Sequence, residues 1–581
     1  MNNIRTTLAT VWRIATPYFR SSDRFAGIGL LAAVIGIELT IVAINVLLNQ
    51  WNNRFYNALQ DHNWDSFVYE LKYFSVLAAA FIVLAVYQIY LNQWLQIRWR
   101  NWMTERYLGH WLNEANHYRM QLLGDAADNP DQRIAEDIKM FIDNTLSIGV
   151  GLLSSIVSLF SFAVILWRLS ADAPLYLFGS DHSFPGYLVW GALVYSVLGT
   201  WLTHVIGWPL VGLNFQQQRF EANFRFNLVR VRENAEQIAL LKGEGAERGH
   251  LSRRFQDLID NWMQIMTRTK YLTFFTASFG QAAVVFPFIL VAPAYFADKM
   301  QLGGMMQTAS AFGSVQSAMS FFVSSYRQIA EWRAMVARLD GFEQSIVAAE
   351  RLPAAPDTIK LATEEARSGI ALRDLAVRLP NGRPLIAADS FAVNAGERVL
   401  ISGPTGAGKS TLFRAIAGIW PFGSGRITVP ANATLLVLPQ RPYFPLGTLR
   451  EALTYPSPAD RYDGATLREL LTSVGLPALT ERLDNEAHWN RELSLGEQQR
   501  LGIARTLLQK PQFLFLDEAT ASLDEPSEAA LYALLQRRLP SSTIVSIGHR
   551  STLRAFHNRK AELAREGDRY TLSQKVDAAA S

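Results

Sequence analysis

Residues 399–411 read VLISGPTGAGKST, an apolar stretch followed by a glycine-rich turn and the start of a helix. The stretch fits the pattern G-x-x-x-x-G-K-[ST], with Gly403, Gly408, Lys409 and Ser410 at its defining positions. Glycines let backbone N–H groups wrap phosphates, the lysine reaches the outer phosphates, and the hydroxyl ligates Mg²⁺. The segment therefore predicts a strand, a turn and a helix that bind ATP. The residues expected to contact the phosphates are Gly403, Pro404, Thr405, Gly406, Ala407, Gly408, Lys409, Ser410 and Thr411.

Two carboxylates end the apolar stretch FLFLDE at residues 513–518. At a strand end beside a phosphate-binding turn, Asp517 suits the Mg²⁺ shell and Glu518 can polarise the attacking water. Paired acids at a strand end would otherwise form a solvated cap. The neighbouring phosphate loop favours the catalytic interpretation.

Gln440 and His549 each follow an apolar stretch, in LLVLPQRPYFP and TIVSIGHR respectively. In these places Gln440 could sense Mg²⁺ and water, and His549 could contact the γ-phosphate. A single histidine at a strand end is more often structural, but its order relative to the other motifs favours catalysis. The predicted catalytic residues are Glu518, His549 and Gln440, and the predicted Mg²⁺ ligands are Ser410, Gln440 and Asp517.

The polar run LSLGEQQR, residues 493–500, has no hydrophobic face to bury. With the phosphate loop, Gln440, FLFLDEATASLD and the SIGHR histidine, it resembles the nucleotide-binding domain of ABC transporters. In that family this signature closes over ATP held by the opposite domain, at a helix N-terminus that attracts anions. The resemblance implies that Ser494, Gly496 and Glu497 contact a second subunit's ATP. It therefore implies a homodimer that uses ATP and Mg²⁺.

Departures from the commonest ABC signature indicate which groups within the ABC transporter family the sequence resembles most. Leu495 replaces the first signature glycine, and Glu497 replaces the glutamine. With PQRPYFPLGTLREALTYP, this combination is similar to the D subfamily, which includes the peroxisomal fatty-acyl transporters. The segments LNQWNNRFYNALQDHNWDSF and FEANFRFNLVRVRENAEQIALLKGE look like bacterial SbmA/BacA-type uptake proteins.

The resemblance also implies a cargo and a location. SbmA/BacA-type proteins are associated with import of antimicrobial or host-derived cationic peptides and other bulky hydrophilic compounds. ATP-driven peptide import across the bacterial inner membrane is therefore the leading hypothesis. The alternatives are transport of lipid or fatty-acyl-CoA and uptake of cobalamin. A soluble ABC ATPase of translation or repair is disfavoured by the apolar first half of the chain, and no nucleic-acid partner is expected.

Long apolar runs recur in that first half. A run of about 20 predominantly apolar residues can cross a bilayer as a helix. Buried helices of a soluble protein are the alternative, but several runs are too long and uninterrupted for it. The six predicted spans are residues 26–50, 71–97, 141–167, 184–213, 271–297 and 303–330.

Basic residues between the spans indicate their orientation, because loops on the cytoplasmic side carry an excess of Lys and Arg. The segments 1–25, 98–140 and 214–270 carry four, six and ten basic residues. The opposite loops, 51–70 and 168–183 among them, carry one each. Both termini and two long extensions are therefore predicted to lie in the cytoplasm, in a multi-pass protein embedded in membrane lipid.

The predicted fold is a six-helix, all-α transmembrane domain of exporter-like type joined to an α/β P-loop nucleotide-binding domain. Each cytoplasmic extension is too long to end in water, so its tip should dock on the nucleotide-binding domain. The predicted parts are an N-terminal interfacial helix (1–25), a six-span domain (26–330) with extensions (98–140 and 214–270), a linker (331–368), the nucleotide-binding domain (369–565) and a tail (566–581).

One acidic residue, Glu38, lies in the middle of the first predicted span. A charge at bilayer depth is costly and usually faces a cavity or a partner group. Two roles remain open for Glu38, a place in the substrate pathway and a structural hydrogen bond.

Overall fold

The computed structural model of the chain describes residues 2–124, 129–172, 175–177, 180–182, 184–365 and 367–575. Parts of four predicted segments lie outside them: 1 in the N-terminal helix, 125–128, 173–174, 178–179 and 183 in the six-span domain with its extensions, 366 in the linker and 576–581 in the tail. The chain divides into two compact units. We call Met1–Leu108 with Asn129–Gly341 the helical unit, and Gly109–Asp128 with Phe342–Ser581 the sheet unit.

Helices dominate the chain up to residue 351. A short antiparallel hairpin, β1 (Leu175–Leu177) and β2 (Ser180–His182), separates the sixth helix from the seventh. The helices are α1 (Asn2–Ala15), α2 (Arg24–Gln60), α3 (Trp64–Leu112), α4 (Asn116–Leu122), α5 (Pro130–Gln132), α6 (Ile138–Asp172), α7 (Tyr187–Glu233), α8 (Ala235–Leu240), α9 (Glu244–Phe296), α10 (Leu302–Ser324) and α11 (Tyr326–Arg351).

Five helical stretches among the described residues are long and apolar enough to cross a membrane. They contain the first three predicted spans and, except for residues 184–186 and 297, the fourth and fifth. The sixth predicted span falls on α10 and the start of α11, and its crossing stays a prediction. The five stretches are Arg24–Gln60, Trp64–Leu122, Pro130–Ala171, Tyr187–Glu233 and Glu244–Phe296.

Helix α10 packs against four other helices of the helical unit, α2, α6, α7 and α9. Its residues Ala311, Phe312 and Val315 are completely buried. A helix surrounded by protein needs fewer lipid-facing apolar residues, and small or polar side chains let its neighbours approach closely. This position accounts for the Ser, Gly and Gln content of α10.

An amide ladder joins α2 to the beginning of α10. Asn49, Asn53 and Asn57 recur every four residues on α2, so their side chains share one face of that helix. Asn49 donates to the Gln307 backbone carbonyl at 3.0 Å and accepts from the Gln307 side chain at 3.2 Å. Asn53 donates to Gln307 Oε1 at 2.8 Å, and Asn57 accepts from the Gly303 N–H at 2.8 Å. The ladder thus satisfies polar groups that would be costly inside a membrane.

An aromatic cluster fixes the N-terminal segment to the helical unit. Tyr18 is completely buried, and its ring stacks on Trp99 of α3 at 5.6 Å. Its hydroxyl donates to Asp23, which also accepts from Arg98 Nε at 3.0 Å. On α1 itself Trp12 is 73% exposed, which suits the predicted interfacial helix, where one apolar edge meets lipid.

The two extensions predicted to lie in the cytoplasm end differently. Helix α4, at the end of the first, belongs to the sheet unit, where Met120 is buried and Leu122 packs against the hydrophobic core. Helix α8, at the end of the second, belongs to the helical unit. Its tip exposes Leu240 and Leu241 by 77% and 82%.

The sheet unit is built around a mixed sheet. Ten of its described strands pair in the order β3-β7-β4-β5-β14-β13-β6-β12-β11-β8, and β9 pairs with β10 separately. The strands are β3 (Lys360–Glu364), β4 (Ile370–Arg378), β5 (Pro384–Val393), β6 (Arg398–Ser402), β7 (Gly423–Pro430), β8 (Leu435–Leu438), β9 (Gly447–Thr448), β10 (Glu486–Ala487), β11 (Phe513–Asp517), β12 (Thr543–Ile547), β13 (Arg559–Glu566) and β14 (Arg569–Lys575). The helices are α12 (Lys409–Ile416), α13 (Leu449–Thr454), α14 (Gly464–Ser473), α15 (Trp489–Glu492), α16 (Leu495–Gln509) and α17 (Glu525–Arg538).

Strands β6, β12, β11 and β8 run parallel and form one end of the sheet, with β12 and β11 between the other two. Central parallel strands are covered on both faces, so they read as continuous apolar runs. Residues 513–516 of β11 and all of β12 are buried accordingly. One hydrophobic cluster holds Leu514, Leu516 and Ile544, and the other holds Phe515 and Val545, because neighbouring side chains alternate between the two faces.

We expect Gly303→Ala to weaken the contact between α2 and α10. An added Cβ would lie 1.9 Å from the Asn53 carbonyl oxygen, so the helices would have to separate. Overpacking of this kind costs about 1–3 kcal/mol. The measurement is the thermal unfolding midpoint of the protein in detergent, which should fall. Gly313→Ala on the same helix is the control, because nothing lies within 4 Å of its Cβ. Equal midpoints for both variants would contradict the close contact.

Candidate functional site

Four parallel strands deliver the predicted nucleotide-binding residues to one edge of the sheet. The phosphate loop follows β6, and the Asp517–Glu518 pair ends β11. His549 follows β12, and Gln440 follows β8. Because the carboxyl ends of parallel strands meet at the same edge, residues distant in sequence become neighbours there.

The phosphate loop needs its glycines for conformation and for space. Gly403, Gly406 and Gly408 have φ angles of +154°, +80° and +87°, values that L-residues with a Cβ rarely adopt. A Cβ on Gly408 would also lie 2.7 Å from Leu385. The loop therefore presents its backbone N–H groups in a curve suited to an anion.

Lys409 is held inside the loop by backbone carbonyls. Its Nζ donates to the Gly403 oxygen at 2.8 Å and to the Pro404 oxygen at 3.1 Å, and lies 3.1 Å from His549 Nε2. Burial lowers the pKa of the ammonium, against the opposing charges of Glu518 and Asp517. The ammonium can therefore replace these neutral carbonyl acceptors with charged phosphate oxygens when ATP binds.

Ser410 and Asp517 form the second part of the site. The Ser410 hydroxyl donates to Asp517 Oδ1 at 2.8 Å. Burial raises the pKa of Asp517, although this hydrogen bond works in the opposite direction. A hydroxyl and a carboxylate are oxygen ligands of the kind that Mg²⁺ takes beside nucleotide phosphates. These two residues therefore fit the predicted metal position.

Glu518 adopts a left-handed backbone conformation, with φ at +51°. Such a conformation in a residue with a Cβ costs roughly 1–3 kcal/mol and is common at functional sites. Its carboxylate Oε1 lies 3.4 Å from His549 Nε2. The structure thus brings Glu518, His549 and Lys409 together.

Gln440 is not joined to that cluster by its side chain among the described residues. It is exposed beyond the end of β8, and its backbone carbonyl accepts a hydrogen bond from Gln499 at 3.1 Å. Its predicted roles at the metal and the water stay predictions.

The signature segment begins α16 with a reciprocal cap. Ser494 is the N-cap, and its hydroxyl bonds the Glu497 carboxylate at 2.7 Å. The same carboxylate accepts from the Ser494 backbone N–H at 2.9 Å. The nearby Gly496 leaves room for Leu523, which would lie 3.3 Å from an added Cβ. Ser494 itself is exposed, so this end of α16 is open to a ligand.

Gln499 is a site residue that the sequence analysis did not identify. It is completely buried, one turn inside α16. Its Nε2 donates to the Gln440 carbonyl, and its Oε1 accepts from the Ser522 N–H at 3.0 Å. One side chain therefore connects three segments: the residues after β8, the signature helix and the turn after Glu518. The sequence did contain a signal, because a helix that begins at LSLGEQQR turns Gln499 toward the protein interior.

Arg505 was also missed, and it organises the segment after Gln440. Its Nη1 donates to the Tyr443 carbonyl at 3.0 Å, and its guanidinium lies 4.9 Å over the Phe444 ring. Burial lowers the pKa of Arg505 to about 10. Tyr443 and Leu446 remain 61% and 72% exposed, so this ordered segment offers an apolar surface.

Glu38 lies apart from these residues, in the helical unit. Its carboxylate accepts a hydrogen bond from Gln88 of α3. The structural hydrogen bond expected for a carboxylate at this depth is therefore present, and a role in a substrate pathway stays a prediction.

Comparison with known proteins gives two family matches. Residues 14–296 match the family described as ABC transporter transmembrane region 2, and residues 386–521 match the family described as ABC transporter. Together the two families account for both units of the chain.

Three relatives extend over nearly the whole chain. An uncharacterised ABC transporter ATP-binding protein of Haemophilus influenzae is 35% identical, over 96% of this chain and 92% of its own length. The inner membrane ABC transporter ATP-binding protein YddA of Escherichia coli is 33% identical, over 94% and 96%. The human lysosomal cobalamin transporter ABCD4 is 25% identical, over 98% and 96%.

A solved structure shares the fold. A bacterial Atm1-family ABC exporter with ATP bound superposes with a TM-score of 0.70 at 18% identity, covering 93% of this chain and 94% of that one. The predicted exporter-like fold and its joined nucleotide-binding domain are confirmed. The resemblance to the D subfamily is confirmed as well, whereas the resemblance to SbmA/BacA-type proteins stays a prediction.

We expect Gln499→Leu to slow ATP hydrolysis. The variant leaves the Ser522 N–H and the Gln440 carbonyl without their buried partner, which costs about 1–3 kcal/mol of stability and loosens the segments on either side of Glu518. The measurement is the ATPase rate of purified protein at matched stability. Gln509→Leu is the control, because it removes a hydrogen bond from the same helix to the Tyr455 carbonyl. A Gln499→Leu rate equal to wild type would show that this connection does not support hydrolysis.

Proposed function

The chain belongs to the ABC transporter family, and on that basis we propose that it is a half-transporter that works as a homodimer in the bacterial inner membrane and imports peptides. Coupling of ATP hydrolysis to transport follows from the family itself. The subunit composition, the membrane and the cargo are the proposed parts.

The ATP-driven part of the proposed function is carried by the cluster of Lys409, Glu518 and His549 at one sheet edge. Glu518 is placed to polarise water, His549 to bond the γ-phosphate and Lys409 to neutralise the outer phosphates. Ser410 and Asp517 would hold Mg²⁺, which supplies positive charge against the phosphate oxygens when bound.

The signature supports a second copy. Among the described residues no hydrogen bond joins residues 494–497 to the phosphate loop, although Ser494 is exposed at a helix N-terminus. Such an end binds anions through unpaired N–H groups and the helix dipole. The γ-phosphate of ATP on another copy is the anion that we propose for it.

Two exposed apolar surfaces support coupling between copies. The α8 tip exposes Leu240 and Leu241, and the segment after Gln440 exposes Tyr443 and Leu446. We place the α8 tip of one copy on the Tyr443–Leu446 surface of another, where both would lose contact with water. ATP-driven approach of the nucleotide-binding domains would then move the membrane helices.

For the cargo, the supporting features are the Glu38–Gln88 pair and the serines of α6. A carboxylate at bilayer depth gives a negative potential that attracts cationic peptides. A polar pathway with few specific contacts suits cargo of unrelated sequence. Cobalamin is the second candidate, because the relative ABCD4 is named as a cobalamin transporter.

Glu518→Gln should bind ATP normally and lose most hydrolysis. The change removes the water-polarising carboxylate and leaves Ser410 and Asp517 in place. Binding of a fluorescent ATP analogue and phosphate release, measured on the same preparation, separate the two effects; a general acid or base contributes typically 10²–10⁴-fold. Near-normal turnover would remove Glu518 from this role.

Mixing two inactive variants tests the homodimer. A Ser494→Arg copy keeps an intact phosphate loop, and a Lys409→Ala copy keeps an intact signature. Their heterodimer should contain one complete site, because both defects fall in the other site. A chain carrying both substitutions, mixed with wild type, is the control and should spoil both sites. Each heterodimer is isolated with two different affinity tags, because wild-type homodimers in the control mixture would keep intact sites. Equal ATP binding by the two isolated heterodimers would contradict the arrangement between copies.

Uptake of a cationic antimicrobial peptide tests the cargo. Cells that carry Lys409→Ala should resist the peptide as a deletion strain does, and Glu38→Gln should weaken uptake. The measurement is killing together with entry of labelled peptide, with membrane levels of each variant matched. Labelled cobalamin and fatty-acyl-CoA are tested in parallel. Wild-type sensitivity of the Lys409→Ala cells would contradict peptide import.

A further inference from the structure

We infer that Asp137 is a positioning residue that holds the start of α6 against α11. Both segments lie next to points where the chain passes from one unit to the other, so the contact would transmit ATP-driven movement to the membrane helices. The chain passes between the units after residues 108, 128 and 341. Asp137 follows the second passage, and its partner Arg338 precedes the third. The inference rests on ATP-driven coupling in the proposed homodimer and not on the identity of the cargo.

The clamp is a buried carboxylate held by two arginines. Asp137 has no exposed surface, and its Oδ1 and Oδ2 accept from Arg338 Nη2 at 2.6 Å and Nε at 2.8 Å. Arg133 Nη1 donates to Oδ2 at 2.8 Å. A planar guanidinium that forks over a carboxylate fixes both distance and angle, which a point charge cannot do.

The backbone around Asp137 is irregular in a way that serves this contact. Residues Arg133–Asp137 form a turn of π-helix between α5 and α6. A π turn inside a helical stretch is uncommon and often marks a functional position. Here it lies between two helices, and Arg133 and Asp137 are both buried within it.

Further hydrogen bonds join α6 to α11. The Trp332 indole N–H donates to Thr145 Oγ1 at 2.9 Å, and Gln328 donates to Asn144 at 2.9 Å. On the same face of α11, Met335, Val336 and Leu339 are buried. The Asp137–Arg338 pair is therefore the last of these hydrogen bonds along α11 before that helix leaves the helical unit.

The Asp137–Arg338 pair should determine whether α6 moves together with α11. Helix α11 continues past Gly341 into the sheet unit, so a displacement of the sheet unit acts on α11 directly. With the clamp intact, α6 must follow α11. Without it, the sheet units should still close on ATP while the membrane helices respond less.

The experiment uses the full chain, which has no native cysteine, with Glu518→Gln to retain ATP. Spin labels at Glu136→Cys and Ala334→Cys report the spacing of α6 and α11. A label at Glu481→Cys reports closure of the sheet units of two copies, and one at Asp61→Cys reports the opposite side of the helical units. Each distance is measured with and without ATP.

With the clamp intact we expect a constant Glu136–Ala334 distance and ATP-dependent shifts at Glu481 and Asp61. In Arg338→Met the Glu481 shift should remain, the Asp61 shift should fall at least by half, and the first distance should broaden on ATP. Arg351→Met, an exposed arginine on the same helix, should match the parent.

An unchanged Asp61 shift in Arg338→Met would overturn the inference, as would loss of the Glu481 shift or an equal loss in Arg351→Met. If Arg338→Met does not fold, Arg338→Lys decides the matter. It keeps the charge without the fork, so its Asp61 shift should also fall; a full shift would overturn the inference.

Discussion

Parallel pairing of β6, β12, β11 and β8 is the constraint on which the nucleotide site depends. The phosphate loop, the two carboxylates, the histidine and the glutamine each follow one of these strands. Their order across the sheet, and not their order along the chain, decides which of them meet. Lys409 therefore lies against His549 across 140 residues of sequence. Gln440 follows the outermost strand, and among the described residues no hydrogen bond joins it to that pair.

The sequence predicted those features that are encoded by a short stretch of consecutive residues. The phosphate loop, the acidic strand end and the long apolar runs are each readable locally, because backbone conformation and hydropathy act over a few turns. Gln499 and Arg505 could not be found in that way, since their importance comes from carbonyls and amides supplied by distant segments. The Asn49–Gln307 ladder and the Asp137–Arg338 pair are likewise visible only when helices far apart in sequence are placed side by side.

The same limit explains why hydropathy does not single out α10, on which the sixth predicted span falls. Hydropathy measures what lipid would accept, whereas α10 is surrounded by other helices and needs to satisfy them instead. Its buried Gln307 bonds the asparagines of α2, and its small residues admit close neighbours. A helix at the centre of a membrane unit can therefore be the least apolar of the set and still belong to it.

The reciprocal cap at Ser494 has an electrostatic consequence. The Glu497 carboxylate already holds the Ser494 hydroxyl and its backbone N–H, so the N-terminus of α16 carries its own anion. Any phosphate that arrives must compete with a tethered carboxylate whose charge opposes its approach. The resting signature is thereby shielded from the free phosphate and stray anions of the surrounding solution. An anion can displace the Glu497 carboxylate when it makes many other contacts as well, as a phosphate bound to a second protein copy would.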